Sequence, residues 1–85
     1  MSWEVEWYSK ALKNLEALPP DIRERVLKHM DRVKETPFHF LEHFEAKGFY
    51  KLRVGVYRAV VSVDFENKTI KIQFFDHRKR IYKGV

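Results

Sequence analysis

Residues 50–61 read Tyr50-Lys51-Leu52-Arg53-Val54-Gly55-Val56-Tyr57-Arg58-Ala59-Val60-Val61. In an extended chain Lys51 and Arg53 share one face, and Leu52 and Val54 share the other. Gly55 marks a turn, and residues 57–63 follow as a second strand. So short a connection joins antiparallel neighbours. Glu66-Asn67 marks the next turn, after which Ile70, Ile72 and Phe74 alternate with Lys71, Gln73 and Phe75. From Phe49 onward the chain therefore predicts an antiparallel meander of three to four strands, apolar on one face and cationic on the other.

Upstream, residues 2–8 alternate, with Trp3, Val5 and Trp7 on one side and Ser2, Glu4 and Glu6 on the other, which predicts a half-buried strand with the tryptophans in the core. Ser9 reads as a helix N-cap. Leu12, Leu15 and Ala11 form a short stripe ending near Leu18. Pro19-Pro20 breaks it, and Pro20 suits the first turn of a second helix, with Asp21 and Glu24 at its positive end. Ile22, Val26, Met30 and Val33, widened by Leu27, give about four amphipathic turns. Pro37 stops this helix. The tight Pro-Pro link predicts an antiparallel helical hairpin. Residues 37–48 read as a connection that tucks Phe38, Phe40, Leu41 and Phe44 against the core. The sum is an α+β domain over residues 1–85: N-terminal strand, helical hairpin, then meander, with the helices on one sheet face.

Charge divides the chain. Residues 46–85 hold ten Lys/Arg against three acids, and residues 1–45 hold seven against nine, giving +7 and −2 within the overall +5. A basic half on a balanced chain points to an anionic partner, and nucleic acid is the commonest large one. The chain has no Cys, which excludes disulfides and thiolate metal sites and fits a reducing compartment. The start, MSWEVEWYSK, lacks the apolar run of a signal peptide, and no stretch approaches the ~18 apolar residues of a membrane span. A cytoplasmic location with no membrane partner is expected.

Two clusters carry candidate chemistry. Lys51, Arg53 and Arg58 lie together on neighbouring strands, with no acid between residues 46 and 63. Clustered guanidinium and ammonium groups stabilise a phosphodiester as it gains charge towards its transition state. The plainer alternative is a solvated sheet face. The second cluster is Asp76-His77-Arg78-Lys79-Arg80-Ile81-Tyr82-Lys83, read as an extended segment that returns to the sheet. Arg78, Lys79 and Arg80 are placed to clamp phosphates and Tyr82 to stack on a base. The plainer alternative is a frayed basic tail. His39, Glu42 and His43 have a spacing that suits a metal on a helix, but three phenylalanines surround them and no fourth ligand is evident, so no metal is assigned. His29 reads as a surface residue.

The 50–61 run, the acidic-tipped hairpin after it and Phe75-Asp76-His77-Arg78-Lys79-Arg80-Ile81-Tyr82 resemble the RelE/ParE toxin superfamily, and more closely its RelE-type branch. The resemblance spans the whole chain in length and element order. It implies a RelE-like fold and an mRNA interferase, an endoribonuclease that cuts messenger RNA in the ribosomal A site. The chemistry implied is attack of a ribose 2′-OH on the adjacent phosphate, leaving a 2′,3′-cyclic phosphate and a 5′-OH, with no cofactor. The partners implied are mRNA on the ribosome and a cognate RelB-like helical antitoxin that holds the toxin inactive in a hetero-oligomer.

Carried over by position, Lys51 matches the first family lysine. Arg53 falls where well-known members have a second lysine, favoured as general base. Arg58 matches the phosphate-stabilising arginine, and Arg78 the arginine assigned to leaving-group protonation or charge stabilisation. Tyr82 matches the tyrosine that orients the substrate, at a shorter spacing from Arg78 than in well-known members. Lys47, His77, Lys79, Arg80 and Lys83 extend the expected RNA contact. Arginine keeps its proton, so Arg53 is a poor base. That leaves Lys51, His77 with its ordinary pKa near working pH, or catalysis by electrostatics alone. Two alternatives share the fold: a ParE-type toxin that inhibits DNA gyrase by binding it, and a catalytically inactive RNA-binding relative.

Overall fold

The computed structural model describes residues 2–43 and 48–81, with residues 80 and 81 described for their backbone only. The described elements run β1 (Glu4–Trp7), α1 (Ser9–Glu16), α2 (Pro20–Glu35), α3 (Pro37–Phe40), β2 (Leu41–His43), β3 (Phe49–Val54), β4 (Tyr57–Asp64), β5 (Thr69–His77) and α4 (Arg78–Ile81). The strands form one five-stranded sheet in the order β1-β5-β4-β3-β2. Strands β2 to β5 make the expected antiparallel meander, while β1 pairs in parallel with β5, Val5 opposite Ile70 and Trp7 opposite Ile72. A parallel pair needs a long crossover, and α1, α2 and the first three meander strands supply it.

Both longer helices bury their stripes in one apolar core. Ala11 and Leu15 of α1 and Val26, Met30 and Val33 of α2 meet Leu52, Val54, Ala59, Val61, Ile70, Ile72 and Phe75 of the sheet. Trp3, Val5 and Trp7 pack half-buried against the same core. Asn14 of α1 donates to the Phe75 carbonyl at 2.7 Å, and Arg23 of α2 donates to the Glu16 carbonyl of α1 at 3.3 Å. Pro20 occupies the first turn of α2 as expected, and Thr36, before Pro37, leaves helical geometry at φ −140° and ψ 68°.

Several expectations are corrected. Ser9 is the first residue of α1 rather than its N-cap; extended Tyr8 takes that place without a side-chain cap, and its carbonyl accepts from the Leu12 amide at 2.8 Å. Leu27 stays 43% exposed, so the buried stripe of α2 is narrower than its apolar residues suggest. Residues 37–48 are no simple connection, because Pro37 starts α3 and β2 adds an edge strand to the sheet. Phe40 and Leu41 pack against the core, but Phe38 is 50% exposed and stacks on Phe65 at 5.7 Å, with Trp3 edge-on to both rings. Phe44 lies outside the described residues. His29 is half-buried with Nε2 fully enclosed, its ring edge-on to Phe40 at 5.2 Å.

The largest correction concerns β5. Val60 pairs with Phe74 but Val61 pairs with Ile72, leaving Gln73 as the extra residue of a β-bulge. Gln73 instead donates to the Ser62 hydroxyl at 3.0 Å. The bulge shifts the alternation by one residue: Phe75 joins Ile70 and Ile72 in the core, and Phe74 turns to the opposite face. Every side chain beyond it changes face as well, which decides the composition of the site.

Candidate functional site

The β3–β4 hairpin sets the first wall. Leu52 and Val54 are buried under the helices, so Lys51 and Arg53 project from the other face. Register places Arg53 directly opposite Arg58, and Arg58 opposite Asp76 of β5. Two guanidinium groups on directly paired positions have Cβ atoms roughly 4.5–5.5 Å apart, and like charges so placed repel. A bound anion would relieve that repulsion.

The turn between these strands organises the arginines. Gly55 takes φ +61°, a left-handed conformation that costs glycine little. Arg58 Nη1 donates to the carbonyls of Gly55 and Tyr57, each at 3.1 Å, which orients the guanidinium. The Arg78 amide donates to the Val56 carbonyl at 2.9 Å, docking the start of α4 on the same turn. The segment from Arg78 is thus a short helix, not the extended segment expected from sequence. Its entry is braced locally: Asp76 Oδ1 accepts from the His77 amide at 2.7 Å, and His77 Nδ1 accepts from the Lys79 amide at 3.2 Å.

Together these elements enclose a cleft of about 390 Å³ lined by Glu42, Lys51, Arg53, Arg58, Arg78 and Lys79. Residues distant in sequence thus place five cations and one carboxylate around a space open to solvent. Such a site suits a polyanion, with arginine forks able to grip phosphate oxygens in pairs. Lys51, Arg53, Arg58, Arg78 and Lys79 are brought together. His77 is not: the bulge turns it to the helix side, where its ring meets Tyr57 at 5.9 Å beside a smaller cavity lined by Asn14, Leu18 and Phe75. Arg80 lies on α4, and only its backbone is described. Lys47, Tyr82 and Lys83 lie outside the described residues.

Glu42 is the lining residue that sequence reasoning placed elsewhere, as a possible metal ligand. It stands on β2 directly opposite Lys51. His39 belongs to α3, and the adjacent strand residue His43 meets the Tyr50 ring at 5.4 Å and a tilt of 32°, so the helical face that would have gathered the three does not exist. The only signal for Glu42 was the Leu41-Glu42-His43 alternation, too short to declare a strand.

Behind the β3–β4 turn, Ile22, Val26, His29, Val54 and Val56 line a mainly apolar groove of about 330 Å³. Burial there, reinforced by the positive charge of Arg32, holds the His29 imidazole below its ordinary pKa, against an opposing interaction with the Arg53 backbone. At the far hairpin tip, the Asn67 side chain and amide both donate to Asp64, lowering its carboxyl pKa.

The family model described as "ParE toxin of type II toxin-antitoxin system, parDE" matches residues 5–82. Among solved structures, the chain is similar to one from the toxin–antitoxin complex RelBE2 of Mycobacterium tuberculosis, at 26% identity and a TM-score of 0.81, covering 92% of this chain and 100% of that one. It is also similar to one from the archaeal RelE–RelB complex of Pyrococcus horikoshii, at 30% identity and a TM-score of 0.76, covering 94% and 99%. A chain of the chromosomal ParDE system of P. aeruginosa shares the fold, with a TM-score of 0.67 at 15% identity over 89% and 96%. The search of curated proteins finds no match.

Proposed function

This chain belongs to the RelE/ParE superfamily of type II toxin–antitoxin toxins, and from that premise we propose that it is a ribosome-dependent endoribonuclease that cleaves mRNA in the A site. The observation that carries this reading is the cleft in which Lys51, Arg53, Arg58, Arg78 and Lys79 converge. A protein that acts only by binding another protein has no evident need of five cations around one concave space. The similarity to RelE chains from M. tuberculosis and P. horikoshii supports the same choice.

In this reading the scissile phosphate sits over the paired Arg53 and Arg58. Their guanidinium groups hold the non-bridging oxygens and stabilise the extra negative charge of the transition state. Arg78 and Lys79 approach from α4 and meet the leaving side of the phosphate. The 2′-OH attacks in line, and the products are a 2′,3′-cyclic phosphate and a 5′-OH. The chemistry is metal-independent, because the charge is neutralised by fixed side chains. Residues 1–85 act as one toxin unit, with Tyr82, Lys47, Arg80, His77 and Lys83 as further expected RNA contacts. A RelB-like helical antitoxin is the expected inhibitor, its acidic groups complementary to the cleft.

The test adds the purified chain to mRNA-programmed ribosomes, with ribosome-free mRNA alongside, and maps new 5′ ends by primer extension. Breaks confined to A-site codons are expected. A second reading is favoured by the match to the ParE family model: a protein-binding toxin that inhibits DNA gyrase. Loss of supercoiling activity without RNA breaks would replace the first reading with the second. Tight RNA binding without turnover would instead mark an inactive relative.

A further inference from the structure

Cleavage by a 2′-hydroxyl needs a group to take its proton, and most of the cleft cannot serve. Arg53, Arg58 and Arg78 keep their protons, and Lys51, the lysine candidate from sequence, is the cation paired with Glu42 across the strands. His77, a candidate from sequence, faces the helices. Among the described lining residues the one carboxylate is Glu42. Leu41, its neighbour on β2, packs against the core, so Glu42 projects to the opposite, cationic face. It pairs directly with Lys51 of β3, which sets the carboxylate next to the cations of the β3–β4 hairpin.

We infer that Glu42 is the proton acceptor of the cleft, a catalytic residue of the cleavage proposed above; the assignment rests on that reading. As the bond from the 2′ oxygen to phosphorus forms, the hydroxyl proton passes to the Glu42 carboxylate. As the bond from phosphorus to the 5′ oxygen breaks, that oxygen takes a proton from the Lys79 ammonium. Glu42 on the edge strand β2 and Lys79 on α4, which follows β5, both line the cleft with Arg53 and Arg58. In-line displacement puts the attacking and leaving oxygens on opposite sides of phosphorus, so in this assignment the phosphate lies between the Glu42 and Lys79 side chains. Proton exchange with water then restores both groups.

The described charged groups lining the cleft with Glu42 are Lys51 and Arg53 from β3, Arg58 from β4, and Arg78 and Lys79 from α4; Asp76 of β5 stands opposite Arg58, its Oδ1 accepting from the His77 amide. On the elements beside it, His43 lies tilted against Tyr50 and His39 lies edge-on to Phe40. A simple alternative is that it only neutralises Lys51 across the strand pair, and a pH profile separates the two roles.

The experiment measures single-turnover cleavage on mRNA-programmed ribosomes across the acid-to-neutral range for wild type, Glu42→Gln and Glu42→Asp. Thermal melts confirm that each variant folds, as expected for changes at an exposed strand position. For a lost general base, Glu42→Gln should slow cleavage by roughly 10²-fold or more, leave ribosome binding unchanged and abolish the acid limb of the profile. Glu42→Asp should keep that limb at a reduced rate. If Glu42→Gln cuts as fast as wild type with the same acid limb, the assignment is overturned while the endoribonuclease reading stands. A wild-type chain that cuts nothing overturns both.

Discussion

Arg53 and Arg58 face each other across the β3–β4 pair, where sheets normally avoid like charges. Arg58 is further held by two carbonyls of its own turn, so its fork is oriented before any ligand arrives. Arg78 is docked on that same turn through its amide. Removing either guanidinium should therefore cost catalysis and not folding. Arg58→Ala and Arg78→Ala are each expected to reduce RNA cleavage on ribosomes by ~10²-fold or more. Their melting temperatures should stay close to wild type, since neither side chain belongs to the core. Wild-type cleavage by both variants would remove the phosphate-binding role. At this scale the sequence was informative for residues two apart on one strand, because strand geometry alone puts Lys51 and Arg53 on one face. It was uninformative for Glu42, whose place depends on pairing with Lys51 of another strand.

Single elements show where local pattern and tertiary contact part company. In β5 the alternation of Ile70 and Ile72 was legible, but its continuation through Phe74 was not. Phe74 and Phe75 are chemically identical, and only pairing with Val60 and Val61 across the bulge decides which enters the core. The same shift sends Asp76 to the cationic face and His77 away from it. The helix α2 offers a test of its own packing. Its His29 has a lowered pKa through burial, with Nε2 enclosed and unpartnered. Between that lowered value and the ordinary 6.5, the unfolded chain binds a proton that the folded chain refuses. The stability linked to His29 is therefore fully present above 6.5 and is lost as pH falls through the folded value. His29→Phe should flatten this dependence, read from denaturant midpoints at about pH 7.5 and about pH 5. An unchanged difference between the two midpoints would show that His29 does not govern it.

The whole molecule separates its two tasks by sheet face. One face carries the helices and the core; the other carries the cleft, so cationic groups are gathered without burying unpaired charge among apolar side chains. Among the described residues no helix is long and apolar enough to cross a membrane. If five cleft cations meet RNA phosphates, affinity for a single-stranded RNA should fall with salt at a log–log slope of about −3.5. The double variant Arg58→Ala/Arg78→Ala should flatten that slope by about 1.4. Fluorescence anisotropy titrations at several ionic strengths measure both, and a salt-independent affinity would argue against phosphate contacts. Co-expression with a neighbouring antitoxin should restore growth; failure with the partner stably made would reject that pairing.

By itself the sequence determined the α+β class, the two helices with their break at Pro19-Pro20, the three long strands and the cationic face of the meander. Each follows from short-range periodicity, from proline and glycine geometry, or from charge count, and these act within a few residues. Only the tertiary structure decided the parallel pairing of β1 with β5, the edge strand that carries Glu42, the bulge that moves His77 out of the cleft, and the helical start of the segment after β5. Those outcomes rest on register between strands and on the docking of Arg78 to the Val56 carbonyl. They are set by contacts between residues far apart in the chain, to which a local pattern is blind.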